Sequence, residues 1–301
     1  MKNLYLLILV LVLASCSGEG FLFDIGNSQN AIAQACPTGF VAVTGSATYS
    51  TSDLCVMQFE AKDDGTGNAV STAASTPFVS IPASTAGADN DAFEKCANMS
   101  EVGFDGTFSL ISNDEWMTIA RDIEATAANW SGGSIGSGHI PRGHSDNSPS
   151  NVLAVTNPLD FYDGTGNNSG EAPGSGWEQR RTHILSNGSI IWDLAGNVWE
   201  WVDWDSSDSI YSPAPTGCVG GPEFDNPINS CSDGSAETQI YPLGGFTSAQ
   251  SFGIWLAGSG GAAVRGGRWN DAAVAGAFTV FLNVGPSVSN ADFGFRCSYR
   301  P

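Results

Sequence analysis

Trp192-Asp193-Leu194-Ala195-Gly196-Asn197-Val198-Trp199-Glu200-Trp201 is the stretch on which the reading of this chain turns. Trp199 and Trp201 alternate as residues on one face of a strand do, and with Trp192 and Trp204 they place four tryptophans between positions 192 and 204. So much rigid aromatic area reads as a core layer, with each indole N–H seeking an acceptor. Just upstream, Ser186-Asn187-Gly188-Ser189 has the composition of a hairpin turn leading into Ile190-Ile191-Trp192.

A second framed segment follows over residues 265–297. Arg265-Gly266-Gly267 opens it, with Trp269 close behind; Phe278, Val280 and Leu282 alternate as a half-buried strand should, and Gly294-Phe295-Arg296-Cys297 closes it. Between those points the pattern breaks. Phe281 falls on the strand face opposite Phe278, Val280 and Leu282, and Val284 and Val288 fall in a Gly/Pro/Ser/Asn loop. Apolar groups in solvent-facing positions point to a binding surface. A locally buried second face reads equally well.

Working toward the N-terminus, residues 130–177 form a long Gly- and Asn-rich loop region holding His139, Arg142 and His144, which are either a polar site or solvated loop residues. Before it, Ser112 with Glu115 makes a capping box for a helix running to about Ala125, with Trp116, Ile119, Ala120 and Ile123 as its buried stripe. Residues 40–43, 54–59 and 108–111 read as strands, residues 63–87 mostly as loop, and residues 88–99 as a helix with Ala92, Phe93 and Cys96 on one face.

The 301 residues, 42% of them hydrophobic, suffice for one large domain with long loops, and the 37 glycines fit short strands with few helices. A net charge of −20 with eleven Lys and Arg excludes a nucleic-acid partner, since no basic stripe exists to displace phosphate counterions. Anionic membrane surfaces are disfavoured on the same ground.

Lys2, the apolar run over residues 4–13 and Leu13-Ala14-Ser15-Cys16 make an export signal, because ten apolar residues are half the roughly twenty needed to span a bilayer. The small residues before Cys16 resemble the lipobox of bacterial lipoproteins. That resemblance implies residues 1–16 as signal, a lipid on Cys16, residues 17–35 as tether, and a place at the cell envelope, surface-exposed on the outer membrane. Six cysteines remain, an even number that in an exported chain implies disulfides without fixing their connectivity. The expected pairs are Cys36–Cys55 and Cys218–Cys231, which close local loops, and Cys96–Cys297, which ties the early helix to the last strand. No ligand spacing suggests zinc.

Taken together, Cys55-Val56-Met57-Gln58-Phe59-Glu60, Leu110-Ile111-Ser112-Asn113-Asp114-Glu115-Trp116, Gly196-Asn197-Val198-Trp199-Glu200-Trp201, Arg265-Gly266-Gly267 and Gly294-Phe295-Arg296-Cys297 resemble the sulfatase-modifying-factor family. The resemblance covers nearly all of residues 36–301. It implies an α+β, C-type-lectin-like fold of the formylglycine-generating-enzyme type, with short antiparallel strands, two helices and long loops. In a narrower sense, the frame around Trp269, Ala275-Gly276-Ala277-Phe278, Leu282-Asn283, Pro286-Ser287 and Gly294-Phe295-Arg296 is similar to the variable proteins of diversity-generating retroelements. In that group a template rich in Asn codons is rewritten at adenines, and the altered residues gather near the C-terminus, here residues 262–301.

At the matching positions stand Arg268, Asp271, Val274, Phe281, Val284, Val288 and Asp292, each reachable from an Asn codon by replacing adenines alone. Such rewriting yields no Lys, Glu, Gln, Met or Trp, and none occurs in residues 270–300. With Asn270, Asn283 and Asn290 these residues form the expected ligand-binding patch, aromatic and aliphatic area beside charge-assisted bonds. Phe293 shares a strand face with Phe295 and reads as core. The expectation is a surface-displayed, receptor- or adhesin-like lipoprotein without catalysis, whose partner is a protein or glycan on another cell or a phage.

Two rivals stand beside it. A formylglycine-generating oxidase needs a pair of copper-binding cysteines in the C-terminal region, where this chain has Cys297 alone. A calcium-dependent sugar lectin would use a tripeptide like Trp269-Asn270-Asp271 with an acidic partner motif that is not convincing upstream. No cofactor is expected; the resemblance leaves room for a structural calcium at the loops around Asp193 and Asn197, as in relatives of the fold, with no ligand set assigned.

Overall fold

The computed structural model describes residues 35–85, 90–166, 177–204, 210–214, 246, 248–256 and 258–301. The expected lipid site Cys16 and the expected pair Cys218–Cys231 lie outside the described residues.

Two sheets organise the chain. The first is antiparallel, with β1 (Phe40–Val43), β2 (Leu54–Met57), β13 (Cys297–Arg300) and β5 (Thr107–Leu110) side by side in that order. The second runs β12 (Phe293–Phe295), β8 (Trp199–Val202), β10 (Ala262–Arg265), β11 (Val280–Val284) and β9 (Trp255–Leu256), with parallel pairs at both edges. Smaller ribbons are β3 (Lys62–Asp63) with β4 (Ala69–Val70), and the hairpin of β6 (Thr182–Ile184) with β7 (Ile190–Trp192). The final strand thus lies inside the first sheet, so the fold closes only when the C-terminus arrives.

The helix α2 (Asn113–Ala125) starts where its sequence dictates. Ser112 Oγ accepts from the Glu115 N–H and the Glu115 carboxylate accepts from the Ser112 N–H at 2.8 Å, so two free donors of the first turn are satisfied. Its buried stripe, Trp116, Ile119, Ala120 and Ile123, packs with Phe278, Val280 and Leu282 on one side of the second sheet. On the other side Trp199 and Trp201 pack with Phe293, Phe295 and Leu110. The indoles keep their polar handles occupied: Trp116 donates to Ala277 O at 2.7 Å and Trp201 to Ile81 O at 2.9 Å.

The helix expected over residues 88–99 is shorter, α1 (Ala92–Ala97). Asp91 caps it by accepting from the Glu94 N–H at 2.8 Å, which fixes the first turn there. Cys96 on α1 bonds Cys297 on β13, and Cys36 bonds Cys55 on β2.

Beneath the aromatic layer lies a set of buried charges. Arg296 holds both oxygens of Glu200, at 2.6 and 2.5 Å, and also donates to Met57 O and Trp192 O. Arg181 holds both oxygens of Asp193 at 2.7 and 2.6 Å. His183, fully buried and donating to Pro141 O at 2.9 Å, is pushed by burial from 6.5 down to about 4. A depressed histidine favours the fold while neutral, so its contribution is complete above pH 6.5 and is lost as pH falls toward about 4. Urea unfolding across that window is expected to show a decline of about 3 kcal/mol that His183→Gln removes, whereas an unchanged slope in the variant would refute the assignment.

Candidate functional site

The C-terminal segment meets the scaffold over Trp199. The Trp199 backbone N–H donates to Asp292 O at 2.9 Å, its indole bonds the Asp271 carboxylate, and its ring lies 6.0 Å from that of Phe281. Arg268 bridges the two acids, pairing with Asp271 at 3.2 Å and with Asp292. Asp271, Phe281 and Asp292 therefore meet at Trp199, about 70 to 90 positions upstream of them, and Arg268 links the two acids. Burial holds the Asp271 carboxyl above its usual range, against the opposing pull of Arg268.

The base of this cluster is built from backbone. Arg265, whose guanidinium is pushed down to about 9 by burial, donates to Asn113 Oδ1 and so ties β10 to the start of α2. Gly266 and Gly267 follow with φ of +85° and +83°, a region open to glycine, and turn the chain toward Arg268. Trp269 N then donates to Asn197 O at 3.1 Å, while its carbonyl accepts from Asn147 N at 2.8 Å. The Gly196-Asn197 loop therefore carries the turn that presents Arg268 and Asp271.

Elsewhere in the C-terminal segment Asn270, Asn283, Val288 and Asn290 are exposed, and Val274 is half-buried. Two other positions differ from expectation. Val284 is the last residue of β11 rather than a loop residue, and it is buried in the aromatic layer, 5% exposed. Its pairing with Ala262, across a register irregularity in β10, carries its side chain into the core. Phe281, expected to face water, is half-buried because Trp199 covers one side of its ring. Asp292 is also buried, and its charge is answered by Arg268. Trp199, read from the sequence as core alone, also meets Asp271, Phe281 and Asp292 from the C-terminal segment. Its strand alternation revealed burial but gave no sign of which loops would settle on it.

Other expected chemistry is placed differently. His139 and Arg142 flank Glu178, at 3.7 and 2.6 Å, while His144 is buried elsewhere, donating to Asn151 O, so no single site unites them. In the loops around Asp193 and Asn197, Asp193 bonds Arg181, and Asn197 bonds Leu153 and Glu60. Among the described residues no group of three or more His, Cys, Asp or Glu could hold a metal ion. Asp271 gives both carboxylate oxygens to Arg268, at 3.0 and 3.2 Å. The four described cysteines are all in disulfides. A cleft of about 550 Å³ opens among Thr38, Asn68, Lys95, Met99 and Glu101, away from the C-terminal segment.

Strand order, the buried Trp-Glu-Trp strand and the closing Gly-Phe-Arg-Cys motif together define a class. The chain belongs to the sulfatase-modifying factor enzyme 1-like domain family, whose pattern matches residues 28–300, and its fold is of the formylglycine-generating-enzyme type. Among solved structures it is similar to Treponema denticola variable protein 1, with 18% identity over 82% of this chain and 63% of that one and a TM-score of 0.30. The chain thus spans 63% of the length of that protein. No curated protein matches it.

Proposed function

We propose that this chain is a ligand-binding module carried at the cell surface by a lipid on Cys16, and that its C-terminal segment is the surface varied between copies. The single observation behind this reading is the meeting of Asp271, Phe281 and Asp292 at Trp199, with Arg268 bridging the two acids, in a segment where Asn270, Asn283, Val288 and Asn290 are exposed. Phe281 and Val288 supply apolar area, and the asparagines supply adaptable hydrogen bonds. The ligand in this reading is a protein or glycan on another cell or a phage. The charge of −20 sets nucleic acid aside.

Binding rather than oxidation is supported by Cys297, the one cysteine of the C-terminal segment, which is fully buried and bonded to Cys96. Sequencing the locus tests the reading. A neighbouring reverse transcriptase and an imperfect repeat differing at template adenines are expected, and a locus with neither would sink the retroelement part.

The geometry also separates positions that tolerate change from those that do not. Substituting Asn270, Asn283, Val288 or Asn290 by Ser is expected to move unfolding free energy by within about 0.5 kcal/mol each. Val284→Asn, which buries an amide in the aromatic layer, is expected to cost about 2 kcal/mol or more. Equal tolerance at Val284, read from urea midpoints, would show that the patch is wider than the structure indicates.

A further inference from the structure

A buried group beside the Gly196-Asn197 loop has no part in the patch. Lys62 and Glu60 lie two residues apart, the lysine on β3, and both side chains are sealed from solvent, 1% and 0% exposed. Lys62 Nζ lies 3.6 Å from Glu60 Oε2 yet has no hydrogen-bond partner, and Glu60 Oε1 has none either. Buried ammonium and carboxylate groups left so poorly satisfied are costly, and natural folds keep them rarely. The same Glu60 Oε2 accepts from Asn197 Nδ2 at 2.7 Å, so an amine and a carboxamide share one carboxyl oxygen as neighbour. The amide is held on both sides: Asn197 Oδ1 accepts from Leu153 N at 2.8 Å, and Nδ2 also donates to Leu153 O at 3.1 Å.

We propose that Lys62 and Asn197 become joined by an intramolecular isopeptide bond, with the Glu60 carboxyl transferring the proton. Such a step needs an uncharged amine, an activated amide and a proton shuttle, in a place closed to water. Burial lowers the Lys62 ammonium toward the free amine, and burial together with Asp193 pushes the Glu60 carboxyl up to about 8, so this pair favours its uncharged forms near neutrality. The Leu153 N–H polarises the Asn197 carbonyl and faces the oxygen on which negative charge develops.

The lone pair of Lys62 Nζ forms the new bond to Asn197 Cγ, and the Cγ–Nδ2 bond breaks. Glu60 takes one proton from the attacking nitrogen and delivers one to Nδ2, which leaves as ammonia. No oxidant or cofactor enters, and Glu60 ends as it began. Asp193, the other carboxyl that feels Lys62, is the poorer acceptor because Arg181 holds both its oxygens. The bond would pin the short β3–β4 ribbon to the loop that carries the Trp269 turn.

Peptide mass spectrometry of the folded, reduced and trypsin-digested protein tests this independently of any ligand. The expected result is no cleavage after Lys62 and a branched species joining its segment to that of Asn197, lighter than the two peptides together by one ammonia. In Glu60→Gln, checked for folding by circular dichroism, that species should be lost. Recovery of free Lys62 from the folded wild-type protein overturns the proposal, as does a branch to Asp193 with loss of water. A branch undiminished in folded Glu60→Gln overturns the role given to the carboxyl. The wild-type digest decides the bond even if that variant does not fold.

Discussion

Arg296→Met is expected to lower the unfolding free energy by about 4 kcal/mol, seen as a fall in the urea midpoint at unchanged slope. The reason is asymmetric. Arg296 and Glu200 are both fully buried and joined by two hydrogen bonds, so removing the guanidinium leaves a carboxylate with no solvent to receive its charge. Burial already raises the Glu200 carboxyl above its ordinary range while Arg296 pulls it down, so in the variant the carboxyl would take up a proton rather than stay charged. Adding Glu200→Leu should recover part of the loss. It should not recover all, because Met57 O and Trp192 O also lose their donor. A single-variant effect under about 1 kcal/mol would mean that the cluster is not the internal brace described above.

Opening the Cys96–Cys297 bond is the second large effect. Its partners are 201 residues apart, against 19 for Cys36–Cys55. Cross-links act mainly by limiting the unfolded chain, and the restriction grows with loop length, so Cys96→Ser with Cys297→Ser should cost about 5 kcal/mol and the Cys36/Cys55 double variant about 3. Denaturant curves of the two double variants, both without reductant, make the comparison. If the short bridge proved the more costly, strain or residual structure would outweigh loop entropy here.

Much of this architecture was legible in the chain. Ser112 and Glu115 announced α2 because a capping box is a local device, satisfied within four residues. The Ser186–Ser189 turn and the alternation of Trp199 and Trp201 worked for the same reason, since turn chemistry and two-residue periodicity need no distant partner. What escaped was set by long-range pairing. Val284 looked like a loop residue beside Gly285 and Pro286, and only its register against Ala262 carries it inward. Phe281 was placed on the correct strand face, but the covering indole comes from β8. The patch was half visible in the same way: its members could be named, while the grouping of Arg268, Asp271 and Asp292 depends on loops that sequence spacing does not locate. The set of Lys62, Glu60 and Asn197 gave no sequence signal at all, because nothing local ties position 62 to position 197.

Because β13 comes after every position proposed to vary and yet sits between β2 and β5, the reading frame is itself inspected by folding. A copy that gains a stop codon or slips by one base upstream of β13 loses Arg296, Cys297 and that inner strand together, and cannot complete the first sheet. If the segment varies between copies as proposed, only in-frame revisions would complete the first sheet, and the order of elements along the chain would act as a filter on errors.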